Sequence, residues 1–172
     1  SQAGLINNLN DGMAWGIFPI LLASKSFDIE EIAIIVATYP LVWGIGQLFT
    51  GKMADVYCKK TMLKIGMLIQ ALALMPMVWA TEMHEFVMLC VILGWGTAMV
   101  YPTFLATVAE NTHPNDRAKS IGIFRLWRDL GYAIGAILTG IIADLFSLEI
   151  ALAFVACLTL ISAGIIQVRM KC

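Results

Sequence analysis

The chain is 172 residues long, 60% hydrophobic and only 13% charged, with a formal net charge of −1 and a mean hydropathy of +0.83. A soluble domain of this size needs a polar skin, so the composition excludes one. Apolar stretches close to the ~20 residues that cross a ~30 Å hydrocarbon core recur along the chain, and the alternating segments of a membrane β-barrel do not, so the fold class is an all-α membrane protein.

Six transmembrane helices are expected. The first covers about 4–24 and is the most polar: in "NNLNDGMAWGIFPI", Asn7, Asn8, Asn10, Asp11 and Trp15 fall on one broad face, and Leu9, Met13, Gly16 and Ile20 cover the other. The second (about 30–54) follows the loop "KSFDIEE". The third (about 60–81) follows "DVYCKK" and contains Gln70, which reads as a helix–helix hydrogen bond. The fourth (about 84–110) follows "TEMHE", and its Tyr101-Pro102-Thr103 is a candidate cavity lining. The fifth (about 117–145) follows "NTHPNDRAK", and the sixth (about 148–169) follows "FSLE". Connections this short force neighbouring helices antiparallel. The third and sixth spans have no ionisable residue between their ends and read as peripheral. Pro19, Pro40, Pro76 and Pro102 fall in different spans, and Gly12/Gly16, Gly94/Ala98 and Gly131/Gly135 have small-xxx-small spacing. Both features suit close packing with local kinks, and both also suit hinge points.

The fifth span, "GIFRLWRDLGYAIGAILTG", carries three charges. Arg128 and Asp129 lie roughly 16–18 Å along a helix of roughly 43 Å, near the midplane. At about 100° per residue, Arg125, Arg128, Asp129, Tyr132, Gly135, Ala136 and Thr139 form one stripe, and Trp127, Leu130, Ile134, Ile137, Leu138 and Ile141 form the opposite one. The charges therefore face protein or water and the aliphatics face lipid, since a lipid-facing arginine at this depth costs at least ~2.5–3.5 kcal/mol. Asp11 lies about 10–12 Å into the first span, and Asp11, Arg125, Arg128 and Asp129 sum to zero charge. The expectation is that Asp11 pairs with Arg125 or Arg128 in at least one conformation. Such a cluster is either an ion pair that only fixes packing or a substrate- or proton-linked pathway built from Asn7, Asn8, Asp11, Trp15, Tyr101, Arg125, Arg128, Asp129 and Tyr132.

Lys52, Lys59, Lys60, Lys64, Arg117, Lys119, Arg169 and Lys171 collect on one side of this topology and Lys25 alone on the other. By the positive-inside rule both ends of the segment are cytoplasmic, in a plasma or inner membrane. Ser1 stands where a starting Met would, so a preceding segment is expected. Of the four cysteines, Cys58, Cys90, Cys157 and Cys172 show no metal-ligand spacing, and Cys90 and Cys157 are expected to pack as small hydrophobes. His84 and His113 fall in loops and read as surface residues. The net charge argues neither for nor against nucleic acid, and no nucleic-acid partner, metal or cofactor is expected.

The chain also repeats itself. "GQLFTGKMADVY" (46–57) aligns without gaps on "GAILTGIIADLF" (135–146), an offset of 89 residues from Gly46 to Gly135. The first copy ends at the cytoplasmic face and the second at the outer face, the mark of a 3+3 inverted repeat. The alternative is two unrelated helices sharing small-residue packing motifs.

"GKMADVYCKKTML" (51–63) resembles the loop signature of the major facilitator superfamily, G-x-L-A-D-x-x-G-R-K-x-x-x. Gly51, Ala54, Asp55 and Lys60 match, Met53 stands for Leu and Lys59 for Arg, and Cys58 replaces a glycine. "HPNDRAKSIG" (113–122) is similar to the corresponding P-x-x-R-x-x-x-x-G loop, with Arg117 at its arginine. The resemblance implies half of a twelve-helix transporter, its C-terminal six helices, with the N-terminal six-helix half absent from this chain. It implies that the first and fourth spans line a cavity, that the second and fifth contact the other half, and that the third and sixth lie outside. It gives Gly51, Asp55, Lys59, Lys60 and Arg117 the role of a conformational-latch loop, with Asp55 interacting with a helix N-terminus of the other half.

The expected function is secondary active transport of a small solute across the lipid bilayer by rocker-switch alternating access, coupled to protons, and not enzymatic. The alternative is a non-transporting six-helix membrane scaffold or sensor, or a half-size unit that dimerises.

Overall fold

Where one span is expected over 4–24, the computed structural model, which describes residues 2–172, has two helices, α1 (Gln2–Gly16) and α2 (Phe18–Ser24). Pro19 is the cause: it has no N–H to donate to the Trp15 carbonyl, and its ring crowds that turn. Ile17 between them keeps a right-handed helical conformation (φ −92°, ψ −20°). Ile17 N donates to Met13 O (3.0 Å) and Leu21 N to Ile17 O (2.9 Å), so the break is a kink in a helical path rather than a loop.

The remaining helices are α3 (Ile29–Val56), α4 (Lys59–Met77), α5 (Met83–Glu110), α6 (Arg117–Leu145) and α7 (Leu148–Arg169), with one 3-10 turn at Pro114–Asp116. The described residues thus form seven α-helices. Their starts are written locally. Asp28 and Glu31 form a capping box at α3, with Glu31 N donating to Asp28 Oδ1 (2.8 Å) and Asp28 N to Glu31 Oε2 (3.0 Å). Ser147 Oγ accepts from Ile150 N (3.2 Å) at α7. Among the described residues, α3, α5, α6 and α7 are long and apolar enough to cross a membrane. The shorter α4, of 19 residues, opens on Lys59, Lys60 and Lys64.

The most extensive packing joins α1 to α6 and α3 to α5, and α4 packs on α5 and α7. The two leading junctions are built alike. A Cβ on Gly46 would come 2.7 Å from the Ala98 Cβ, and one on Gly135 would come 2.6 Å from the Leu9 carbonyl oxygen. Gly46 and Gly135 are separated by 89 residues, and so are Leu9 and Ala98. Gly94 presses on the Tyr39 carbonyl and Val42, and Gly131 presses on the Leu5 carbonyl. Leu5 to Gly94 and Val42 to Gly131 are again offsets of 89. Each close approach recurs at the 89-residue offset with the two chain segments exchanged.

Thr50 and Thr139, both fully buried, close these junctions. Thr50 Oγ1 donates to the Ala98 carbonyl of α5 (2.6 Å). In a regular helix that carbonyl would accept from residue 102, which is Pro102, so Thr50 supplies the hydrogen bond that the proline cannot. Thr139 Oγ1 turns to the Gly135 carbonyl of its own helix (2.6 Å).

Two buried apolar clusters fill the bundle. Leu21, Leu22, Ile35, Leu74, Phe86 and Leu152 belong to the larger, and Leu63, Met67, Val100, Phe104, Phe124 and Ile166 to the smaller. Beyond the smaller cluster, Tyr57, Cys58, Lys59, Thr107, Glu110, Met170 and Cys172 surround a cavity of about 410 Å³ at the end of the bundle rich in basic residues. Cys58 and Cys172 form a disulfide there. Cys90 is buried as expected, but Cys157 is exposed, on the outward face of α7 with Phe154 and Ile161. Both histidines are exposed, although His84 lies in the first turn of α5 rather than in a loop.

Candidate functional site

The polar face of α1 is enclosed by its neighbours. Asn7, Asn8, Asn10 and Asp11 are each no more than 2% exposed. Groups buried this deeply need partners, because an unpaired polar atom away from water costs several kcal/mol on apolar-transfer scales, ~2–7 kcal/mol. The structure divides these residues between two networks.

The first network centres on Asp11. The Tyr39 hydroxyl of α3 donates to Asp11 Oδ1. Thr97 Oγ1 of α5 lies 3.1 Å from the same phenolic oxygen. Because Tyr39 has one proton and gives it to the carboxylate, Thr97 is the donor in that contact. Asp11 Oδ2 has no hydrogen-bond partner. A carboxylate with one oxygen held and the other free can take up a proton without dismantling its support.

The second network centres on Arg128. Its Nε and Nη2 lie 2.8 Å and 2.7 Å from Asp129 Oδ1, and its guanidinium carbon sits 4.9 Å over the Tyr101 ring. Asn8 Nδ2 donates to the same Asp129 oxygen at 3.3 Å. Asn8 in turn accepts from Asn7 Nδ2 (3.3 Å), Asn7 accepts from Gln70 Nε2 (2.9 Å), and Gln70 accepts from Asn10 Nδ2 (2.7 Å). Gln70 is therefore a helix–helix hydrogen-bond bridge from α4 to α1, three hydrogen bonds from the arginine pair. In this conformation Asp11 pairs with neither arginine: Asp129 engages Arg128, and Arg125 is exposed on the open side of α6.

An aromatic run connects the two networks. Trp15 and Tyr39 lie 6.5 Å apart between ring centroids, Tyr39 and Trp43 are stacked at 6.2 Å, and Trp43 meets Tyr101 edge-on at 5.6 Å. Trp15 is 49% exposed, and Tyr101 and Tyr132 are half-buried. The structure thus gathers Asn7, Asn8, Asp11, Trp15, Tyr101, Arg128 and Asp129. Tyr132 joins them where α6 crosses Gly12, with its carbonyl against that glycine and its side chain directed to Asp11.

The loop residues form a separate group. Gly51, Lys59 and Lys60 are half-buried, and Asp55 and Arg117 are exposed. Lys59 Nζ pairs with Glu110 Oε1 at 2.6 Å, tying the start of α4 to the end of α5.

Tyr39, Trp43 and Thr97 belong to the central site and were not singled out in the sequence, where each is one polar atom in an apolar span. The repeat offset would have found two of them. Moving 89 residues back from Arg128 reaches Tyr39, and moving 89 forward from Asn8 reaches Thr97.

Residues 3–170 match the sequence model of the Major Facilitator Superfamily, and the chain belongs to that family of membrane transporters. It is 24% identical over 147 residues to the inner membrane transport protein YnfM of Escherichia coli K12, covering 86% of this chain and 35% of that protein. It is 30% identical over 95 residues to the multidrug resistance protein MdtH of Aeromonas hydrophila, covering 55% of this chain and 24% of that protein. It is 24% identical over 155 residues to the multidrug resistance protein 2 of Bacillus subtilis, covering 90% of this chain and 38% of that protein. The chain spans about a third of the length of curated relatives it matches, such as YnfM at 35%.

Proposed function

We propose that this chain is the six-span half of a secondary active transporter that moves a small solute by rocker-switch alternating access, coupled to protons. In this reading α1 and α2 together make the first span. The segments α1 to α4 and α5 to α7 are then the two members of a 3+3 inverted repeat. The exchanged contacts of Gly46 with Ala98 and Gly135 with Leu9 favour this pairing. The end bearing Lys59, Lys60, Arg117 and Lys171 faces the cytoplasm. The open flanks of α3 and α6 meet a second six-helix unit, and the solute binds between the two beside Trp15, Tyr101, Arg125, Arg128 and Tyr132. Gly51, Asp55, Lys59, Lys60 and Arg117 form the loop latch at the cytoplasmic side.

The observation that carries proton coupling is Asp11: a carboxylate 1% exposed, held on one oxygen by Tyr39 and free on the other. Buried intramembrane carboxylates mark proton pathways, and a movable guanidinium nearby changes the proton affinity of such a group as the two approach or part. The exposed Arg125 and the Arg128–Asp129 pair, with Asp129 half exposed, supply movable partners.

The test is Asp11→Asn in the intact protein, with uptake and efflux profiled in vesicles with and without an imposed pH gradient. Loss of pH-driven movement with gradient-independent exchange retained is the expected result. Unchanged pH dependence sinks the proton role, and failure of the wild-type protein to move any solute favours a scaffold.

A further inference from the structure

We propose that Cys58 and Cys172 are a reversible redox latch, reduced at rest and closed by oxidation, that fastens the loop between α3 and α4 to the segment following α7. The proposal rests on the cytoplasmic placement of this end given above.

The two residues lie 114 apart in sequence, and their Cα atoms are 5.5 Å apart, within disulfide reach. Cys58 is the N-cap of α4, one residue after the extended Tyr57 that ends α3, so a bond to it grips the loop itself. Cys172 follows the extended Met170 that ends α7. The neighbouring noncovalent tie, Lys59–Glu110, has side chains 17% and 59% exposed and is the kind of surface ion pair that holds weakly. A covalent bond is therefore the strong fastening at this corner.

The pair is also placed to react. Cys172 is exposed and Cys58 half-buried beside the cavity of about 410 Å³, within reach of solutes from that end. Cys90 is buried, and Cys157 faces outward among apolar side chains of α7. Lys60 and Lys171 lie within two residues of the two sulfurs in sequence and attract an anionic oxidant, while Lys59 is paired with Glu110 at the cavity wall. Compartment decides the resting state. Eight basic residues put this end in the cytoplasm, where thiols are kept reduced, and disulfides that form there are transient or redox-sensing. A disulfide at this position is consequently a state of the loop rather than a permanent staple.

The oxidant class is a small anionic disulfide, RSSR. The Cys172 thiolate attacks one sulfur, forms a mixed disulfide and releases RS⁻. The Cys58 thiolate then attacks the Cys172 sulfur and releases the second RS⁻. Two protein thiols are oxidised to one disulfide, RSSR is reduced to two RSH, and the two protons from the cysteines end on the released thiols.

The experiment uses the full-length protein in sealed inverted and right-side-out membrane vesicles, with glutathione disulfide as a membrane-impermeant oxidant. Thiols are counted afterwards by denaturing and mass-tagging with maleimide-polyethylene glycol. Expected in inverted vesicles is the loss of two tags with no dimer on a non-reducing gel, full recovery with dithiothreitol, and slower tryptic cleavage after Lys59 and Lys60 in the oxidised form. Cys58→Ser and Cys172→Ser should each abolish the paired loss. Retention of both tags in both vesicle orientations overturns the latch, as does a paired loss that survives Cys58→Ser. Loss only in right-side-out vesicles overturns the cytoplasmic placement, and the pair is then an exterior staple rather than a latch.

Discussion

At the junction of α3 with α5, Tyr39 reaches from α3 to Asp11 of α1 and to Thr97 of α5. At the junction of α6 with α1, the position 89 residues on is Arg128, which binds Asp129 and lies over Tyr101 of α5. The packing beneath the two is shared at Gly46 and Gly135 and at Thr50 and Thr139, whereas Gly94 and Gly131 correspond to Leu5 and Val42, so there the glycine sits on the opposite partner. The chemistry above it differs: a hydroxyl holds a carboxylate on one side, and a guanidinium is held by a carboxylate on the other. The difference teaches that glycine-mediated contact fixes where a side chain will project, and leaves its identity free. The largest expected effect tests that freedom. Arg128→Gln in the intact protein removes a charged donor from Asp129 and leaves that carboxylate to Asn8 alone. Such bonds are worth ~1.5–3 kcal/mol, so transport should fall at least about tenfold. Thermal stability should change by about 1 kcal/mol or less, because Asp129 is half exposed and keeps water as a partner. Wild-type transport by this variant would show that only the carboxylate junction serves the site.

The shared packing is tested by Gly94→Leu and Gly131→Leu. A side chain at either position drives into a backbone carbonyl, of Tyr39 in one case and Leu5 in the other, and backbone does not step aside as a flexible side chain can. Each variant should lose about 1–3 kcal/mol or more, measured by thermal denaturation in detergent. The contacts exchange under the offset, so the two losses should be similar, and tolerance of one with failure of the other would break the comparison. Gly44→Ala is the control: it meets nothing within 4 Å and should gain up to about 1 kcal/mol in helix propensity.

Features that repeat with a short period were legible in the sequence. The stripe expected on α6 and the buried one share Arg128, Gly135 and Thr139, while Phe124 and Gly131 are buried beside them and Arg125, Asp129 and Ala136 are exposed; 3.6-residue periodicity reads the face approximately, and its covered edge depends on where α1 crosses. The loop signature and the 89-residue offset needed only matching letters. What depends on contacts between distant helices was not legible. Tyr39 and Thr97 look like ordinary residues of apolar spans until the fold sets them beside Asp11. The choice of Asp129 over Asp11 as the partner of Arg128 rests on a neighbour one residue away outcompeting one on another helix. The Cys58–Cys172 pairing spans 114 residues with no spacing rule to announce it. Pro19 was visible, but whether a proline kinks a helix or divides it depends on how the flanking turns pack.

The smallest effect separates the junctions most sharply. Thr50 and Thr139 occupy equivalent positions and are equally buried, yet only Thr50 bonds across to a neighbouring helix. The reason lies on that neighbour. Ala98 precedes Pro102 by four residues, so its carbonyl has no helical donor; Leu9, the equivalent of Ala98, precedes Met13, which carries an N–H. Thr50→Val should therefore strand a buried carbonyl and cost about 1–3 kcal/mol, and Thr139→Val strands nothing and should stay within about 0.5 kcal/mol. Adding Pro102→Ala returns the missing N–H to α5, and Thr50→Val should then cost clearly less than it does beside the proline. Equal costs for Thr50→Val with and without the proline would mean that Thr50 acts by shape alone, and the asymmetry between the junctions would need another origin.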